Sequence, residues 1–340
     1  MRLDMNEGLP GLPEGVVKEA LCGMDGEFLS SYPEYGEFIG KISCHNGIAP
    51  ENICLSNGSD AAIKYIFDAF VSSGDRVLLT DPSFAMYKVY CEMTGAETVT
   101  AEYAGFSFPI ENFMEKLSEG VSMAVVVNPN NPSGSVIGEG DLDMIIALAE
   151  KNDTLLVIDE AYFYFHPETA ISKAAVSKNV IVLRTFSKLC SMAALRLGYA
   201  AACPEIIDGL RRVRPTFDVN AVAVRLADRI LDEPGLIPGL VRSAELGKEY
   251  LLERLSSKGI ECRGGRANFV LIRCPGMVGP LMKALEERKI LVGGGFKQPF
   301  LRDYIRVTVG DAGLMETFCR EFLEVWEAAS APFCKKAVCE

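Results

Sequence analysis

Four short runs in this 340-residue chain are apolar almost from end to end: Arg76-Val77-Leu78-Leu79, Met123-Ala124-Val125-Val126-Val127, Leu155-Leu156-Val157-Ile158 and Val180-Ile181-Val182-Leu183. A strand with one wet face alternates apolar and polar residues, whereas a continuously apolar strand belongs in a sheet covered on both faces. Between the second and third runs, residues 141–151 place Leu142, Ile145, Ile146 and Ala149 on one helical face. Strand, helix and strand at this spacing predict βαβ units and an α/β fold with a mostly parallel sheet.

Beyond residue 232 the pattern changes. An amphipathic helix over 236–256, a strand over 268–273, a helix over 277–288, a strand over 304–309 and a terminal helix over 311–329 predict a smaller α+β unit. The first 30 or so residues are rich in Gly and Pro and too irregular to fold alone. The predicted organisation is an N-terminal arm over 1–30, packed on the small unit or on a neighbouring chain, a large unit over 31–232 and a small unit over 233–340.

A net charge of −12 argues against nucleic acid or an anionic membrane as the main partner. None of the 11 cysteines stands in a CxxC pair and only two histidines are present, so no metal site is expected. Reduced thiols in a cytoplasmic protein are the expectation. No N-terminal apolar run suits a signal peptide, and no run is long enough to span a membrane.

The strands end in polar clusters, and ligands of open α/β sheets bind at the carboxyl ends of strands. Asn128-Pro129-Asn130-Asn131-Pro132-Ser133-Gly134 follows Val127, Asp159-Glu160-Ala161-Tyr162 follows Ile158, and Arg184-Thr185-Phe186-Ser187-Lys188 follows Leu183. Gly58-Ser59-Asp60 follows the strand Ile53-Cys54-Leu55 and opens an apolar helix over 60–71, so its amides suit an anion. Singly, each cluster reads equally well as a turn, a helix cap or a packed aromatic. Together they gather an amine, an acid and an anion site at one edge. A lysine that attacks a carbonyl must be uncharged, which desolvation and a nearby cation such as Arg196 favour.

In this order the clusters resemble the class I/II aminotransferases, pyridoxal-phosphate enzymes of fold type I, and within them the histidinol-phosphate aminotransferase branch. The resemblance runs from about Leu3 to Val309. It includes Ser31-Tyr32-Pro33-Glu34, Asn57-Gly58-Ser59-Asp60, Asp81-Pro82-Ser83-Phe84-Ala85-Met86-Tyr87 and Ile305-Arg306-Val307-Thr308-Val309-Gly310. It implies that Lys188 holds pyridoxal 5′-phosphate as a Schiff base and moves the substrate's α-proton. Asp159 would keep the ring nitrogen protonated, Tyr162 and Asn131 would donate to the phenolic oxygen, and Phe84 would stack on the ring. The phosphate would lie among Gly58, Ser59, Asp60, Thr185, Ser187 and Arg196, the carboxylate of Asp60 turning away to cap the helix. Tyr32 would reach the phosphate and substrate from the other subunit of a homodimer. Arg306 and Asn131 would hold small amino-acid and keto substrates.

Two departures concern the substrate. An arginine usual in that branch just after the strand near 290–292 is replaced by Gly293, and the N-terminal tyrosine that many members carry has no counterpart. Lys297 or Arg302 is the expected substitute cation. Gly265-Arg266-Ala267-Asn268 is shared with phospho-amino-acid decarboxylases of the same branch, which makes decarboxylation the alternative reaction. A non-catalytic homologue would have lost cofactor residues, and here the set is intact.

Overall fold

The computed structural model describes residues 1–336, with side chains through Ala329. Its strands are β1 (Arg2–Leu3), β2 (Ile53–Ser56), β3 (Arg76–Asp81), β4 (Glu97–Glu102), β5 (Met123–Val127), β6 (Leu155–Asp159), β7 (Val180–Thr185), β8 (Gly198–Ala201), β9 (Cys262–Gly264), β10 (Phe269–Arg273), β11 (Leu291–Val292) and β12 (Tyr304–Thr308). Seven of them form one sheet in the order β2-β8-β7-β6-β5-β3-β4. Every pairing from β7 to β4 is parallel, and β8 runs against both neighbours. The reversal follows from the connection. Residues 186–197 hold one short 3₁₀ turn, Ala193–Leu195, instead of the helix that a parallel crossover needs.

Alternate residues of the central strands feed two cores. Ala124, Val126, Leu156, Ile158 and Val182 face one side, and Val125, Val127, Val157 and Ile181 face the other. This double burial is the physical reason that the strands read as unbroken apolar runs.

A third core gathers Leu251, Val270, Ile305, Val307, Phe318 and Phe322 between the long helices Leu236–Ser256 and Ala312–Lys336 and an antiparallel sheet of order β12-β10-β9. The N-terminal segment divides its contacts. Leu3 enters this third core through β1, which pairs with β11, while the helix Glu14–Leu21 lies against the helix Ala221–Asp232. Composition hid that helix and the short Gly26–Ser30 helix behind it. No helix among the described residues is long and apolar enough to cross a membrane.

Candidate active site

The reversed strand β8 brings two loops to one edge. Gly198 pairs with Thr185 at the end of β7 and with Ser56 at the end of β2. The loop carrying Lys188 and Arg196 therefore meets the turn Asn57-Gly58-Ser59. The approach is close. A Cβ on Gly198 would fall 2.5 Å from Ser59 N, and one on Gly58 would fall 2.7 Å from Arg196 Nη2. Gly58 is at φ 81°, and Arg196 is itself left-handed at φ 55°, an uncommon conformation for a side-chain-bearing residue that clusters at functional sites.

This corner presents donors. The helix Ser59–Phe70 begins at Gly58 with no side-chain cap, which leaves its first amides to another acceptor. The expected cap by Asp60 is not made; its Oδ1 is buried without a partner. Arg196 Nη1 donates to Ala193 O at 3.0 Å, and no described carboxylate pairs with it. Thr185 Oγ1 donates to Ser187 Oγ at 3.0 Å and accepts from Ser187 N at 3.1 Å, so both hydroxyls are fixed at the loop entrance.

Asp159 closes β6 and is 3% exposed. Its carboxylate accepts from Tyr87 Oη at 2.9 Å and from Ala161 N at 3.0 Å. Burial pushes its pKa up to about 6, although Tyr87, Ala161 and the Lys188 charge all pull it down. No described cation lies at ion-pair distance, so this carboxylate is an acid in want of a positive partner. Phe84 stands edge-on to Tyr87, with ring centroids 6.3 Å apart.

Lys188 Nζ donates to Met5 O at 3.1 Å and lies 5.7 Å from the centroid of the Tyr162 ring. The Tyr162 hydroxyl accepts from Asn6 Nδ2 at 2.8 Å. Arg306 on β12 donates to Asn131 Oδ1 and, at 2.5 Å, to Asp4 O, while its Nε is buried without a partner. Burial lowers its pKa, with Tyr162 and Asp4 opposing. Arg306 and Asn131 open on a cavity of about 720 Å³ whose wall includes Phe84, Phe296 and Lys297. Arg302 does not line it.

Two features stand apart from the sequence reading. Tyr32 is 74% exposed and stacks on Phe217 at 4.1 Å, away from the other named residues. Conversely, residues 4–7 of the N-terminal segment form a wall of the site that no motif announced. Their only sequence signal is a polar Asn6 that ends up 1% exposed.

The sequence matches the family Aminotransferase class I and II over residues 9–322. The chain belongs to the class I and II aminotransferases. A histidinol-phosphate aminotransferase of Caldanaerobacter subterraneus is 33% identical over 316 residues, 92% of this chain and 89% of that protein. The histidinol-phosphate aminotransferase of Sinorhizobium meliloti, solved in complex with pyridoxal 5′-phosphate, superposes with a TM-score of 0.87 at 22% identity, covering 96% of this chain and 91% of its own. An L-threonine-O-3-phosphate decarboxylase of Porphyromonas gingivalis reaches 0.79 at 22% identity, covering 96% and 99%. Both likenesses are of fold.

As a family member the chain is a pyridoxal-phosphate-dependent transaminase acting on small amino-acid substrates. Its donor set suits the cofactor. An uncompensated buried carboxylate can meet a protonated ring nitrogen, an uncapped helix start beside an unpaired arginine can meet a phosphate, and an amine within electrostatic reach of that carboxylate can meet an aldehyde.

Proposed function

We propose that this aminotransferase moves an amino group between an amino-acid donor and a small carbonyl substrate of the histidinol-phosphate type, with an altered grip on the substrate's distal anion. The observation that carries the reading is Arg306, a cation on the cavity wall with no described carboxylate at ion-pair distance and an unsatisfied Nε. An unpaired buried guanidinium is costly unless an anion arrives to pair with it.

In this reading Arg196, the amides that open the helix Ser59–Phe70, Thr185 and Ser187 hold the phosphate of the cofactor. Asp159 would keep its ring nitrogen protonated through a charge-assisted hydrogen bond, Phe84 would supply an aromatic face for its ring, and Tyr162 and Asn131 would serve its phenolic oxygen. Bound pyridoxal phosphate supplies the electron sink for charge released at the substrate α-carbon. Lys188 would hold it covalently, and when a substrate amine replaces that linkage the Lys188 Nζ would carry the proton to and from that carbon. Arg306 and Asn131 orient the substrate by its anionic group. The protein works in the cytoplasm as a homodimer, Tyr32 reaching the neighbouring protomer's site. The chain divides into a large unit to about residue 232 and a small one after it.

Adding L-glutamate or histidinol phosphate to the holoenzyme is expected to bleach the bound cofactor's visible absorbance and leave the amine form of the cofactor. If neither compound does so, the reading fails. Decarboxylation is the second reading, favoured by the likeness to the Porphyromonas enzyme and by Gly265-Arg266-Ala267-Asn268. Carbon dioxide released from phosphothreonine, with no amine form accumulating, would decide for it.

Gly293 exchanges two backbone hydrogen bonds with Arg306, at 2.9 and 2.8 Å, and a Cβ there would come within 3.3 Å of the guanidinium. The position is occupied by packing rather than by a second cation. We assign the distal anion to Lys297, which lines the cavity. Lys297→Ala is expected to raise KM for a phosphorylated substrate about tenfold, equivalent to about 1.4 kcal/mol, and to leave amino acids without a distal anion unchanged. Arg302→Ala should alter neither. Equal effects of Lys297→Ala on both substrate classes would refute the assignment.

A further inference from the structure

We infer that Asn6 is a positioning residue that fixes the direction in which Tyr162 offers its hydroxyl proton. The inference rests on the reading that Tyr162 donates to the cofactor's phenolic oxygen.

The polarity of this corner can be traced bond by bond. Asn6 N donates to Thr308 Oγ1 at 3.0 Å. Thr308 Oγ1 then has its own proton to give, and it points to Asn6 Oδ1 at 3.4 Å. The amide oxygen of Asn6 is thereby held on the Thr308 side and its NH₂ group on the other. That group donates to Tyr162 Oη at 2.8 Å. A phenol has one proton, and an amide N–H can only donate, so Tyr162 must accept here and send its proton elsewhere. Among the described residues nothing accepts that proton. It is left to point into the site.

The arrangement is rigid. Asn6 is 1% exposed and Tyr162 3%, so little water can compete for either group. Asn268 Nδ2 holds the carbonyls of Asn6 and Glu7, each at 3.1 Å, and a Cβ on Gly8 would meet Lys188 O at 2.2 Å. The segment is thus clamped from the small sheet and pressed on the Lys188 loop. The charged groups facing Tyr162 are Lys188, whose Nζ is 5.7 Å from the ring centroid, and Arg306, which interacts with it electrostatically. Asp4 lies beside Arg306, and Asp159 interacts with Lys188. In the proposed holoenzyme Lys188 is taken up by the cofactor, so Arg306 is the cation left facing Tyr162, and it favours a hydroxyl whose proton points away from the guanidinium.

The test is a pH titration of the holoenzyme's visible absorbance. A donor to the phenolic oxygen stabilises it as an anion and lowers the midpoint; loss of the donor raises it. Tyr162→Phe is expected to raise the midpoint by about one unit, a tenfold change in proton affinity. Asn6→Asp keeps the shape but presents an acceptor, which draws the Tyr162 proton out of the site, so a rise of similar size is expected. Asn6→Ala should shift it in the same direction by less. In the Tyr162→Phe background, Asn6→Asp should add little. Apoenzyme melting checks the fold, and if the aspartate variant does not hold cofactor, the alanine variant decides.

The outcomes separate the two ideas. A midpoint moved by Tyr162→Phe but by neither Asn6 variant overturns the inference and spares the reading of Tyr162. An Asn6→Asp shift that persists in full without the Tyr162 hydroxyl also overturns it, since the new charge would then act directly. No shift with Tyr162→Phe defeats the reading and the inference together.

Discussion

Lys188→Ala is expected to lower turnover by at least about 10⁴-fold, because in the proposed mechanism it removes the covalent anchor of the cofactor and the group that moves the proton in one step. The loss should not be a loss of fold. Lys188 is half-buried, and among the described residues its side chain makes one hydrogen bond, to Met5 O at 3.1 Å, so truncation should cost the apoenzyme no more than about 1 kcal/mol. Two measurements taken together decide the matter. Steady-state rates should collapse while the apoenzyme melts almost as before. After borohydride treatment of the cofactor-loaded protein, the wild-type chain should carry a fixed adduct on Lys188 and the variant none. An adduct on the variant, or turnover within tenfold of wild type, would remove Lys188 from the centre of the mechanism.

The elements that could be read from the sequence are those whose burial is uniform. β5 and β6 are apolar on both faces because both faces are covered, and the helix Leu236–Ser256 keeps one stripe throughout. β4 escaped notice because Glu97-Thr98-Val99-Thr100-Ala101-Glu102 sits at the sheet edge and keeps its polar residues exposed. β8 escaped because its role is topological. Four small or aromatic residues, Gly198-Tyr199-Ala200-Ala201, give no period, yet their reversed course brings Arg196 to Gly58.

The same division holds in the site. Asp159 ends β6, and Gly58, Tyr162 and Lys188 follow strands within three residues, so their positions relative to the sheet edge are encoded locally. Asn6 and Thr308 are 302 residues apart in sequence and meet only because β1 joins β11 beside β12. No local pattern can announce such a contact. Tyr87 is an intermediate case. It lay within a recognised segment, but its bond to Asp159 depends on how the helix Met86–Thr94 packs on the sheet.

Asp159→Asn is expected to stabilise the apoenzyme and cripple the holoenzyme, and pH separates the two effects. The folded carboxyl has a pKa of about 6, raised by burial from the ordinary 3.8. Between about pH 4 and pH 6 the folded chain therefore holds a proton that the unfolded chain has already released, and stability is lost as pH rises through that window. Above about pH 6 the loss is complete and amounts to about 3 kcal/mol. Asparagine is nearly isosteric, can accept from Ala161 N, and has no charge to desolvate. Its apoenzyme should melt above the wild type at pH 8 and nearly with it at pH 4. In the proposed mechanism the balance reverses once the cofactor is bound, because the wild-type carboxylate then gains the positive partner it lacks. Asparagine cannot hold the ring nitrogen protonated, and turnover should fall by about 10²-fold or more. On that proposal, burying an unpaired carboxylate is a cost carried by the empty site for the benefit of the loaded one. An asparagine variant that is less stable at pH 8, or one that keeps full activity, would contradict this account of Asp159.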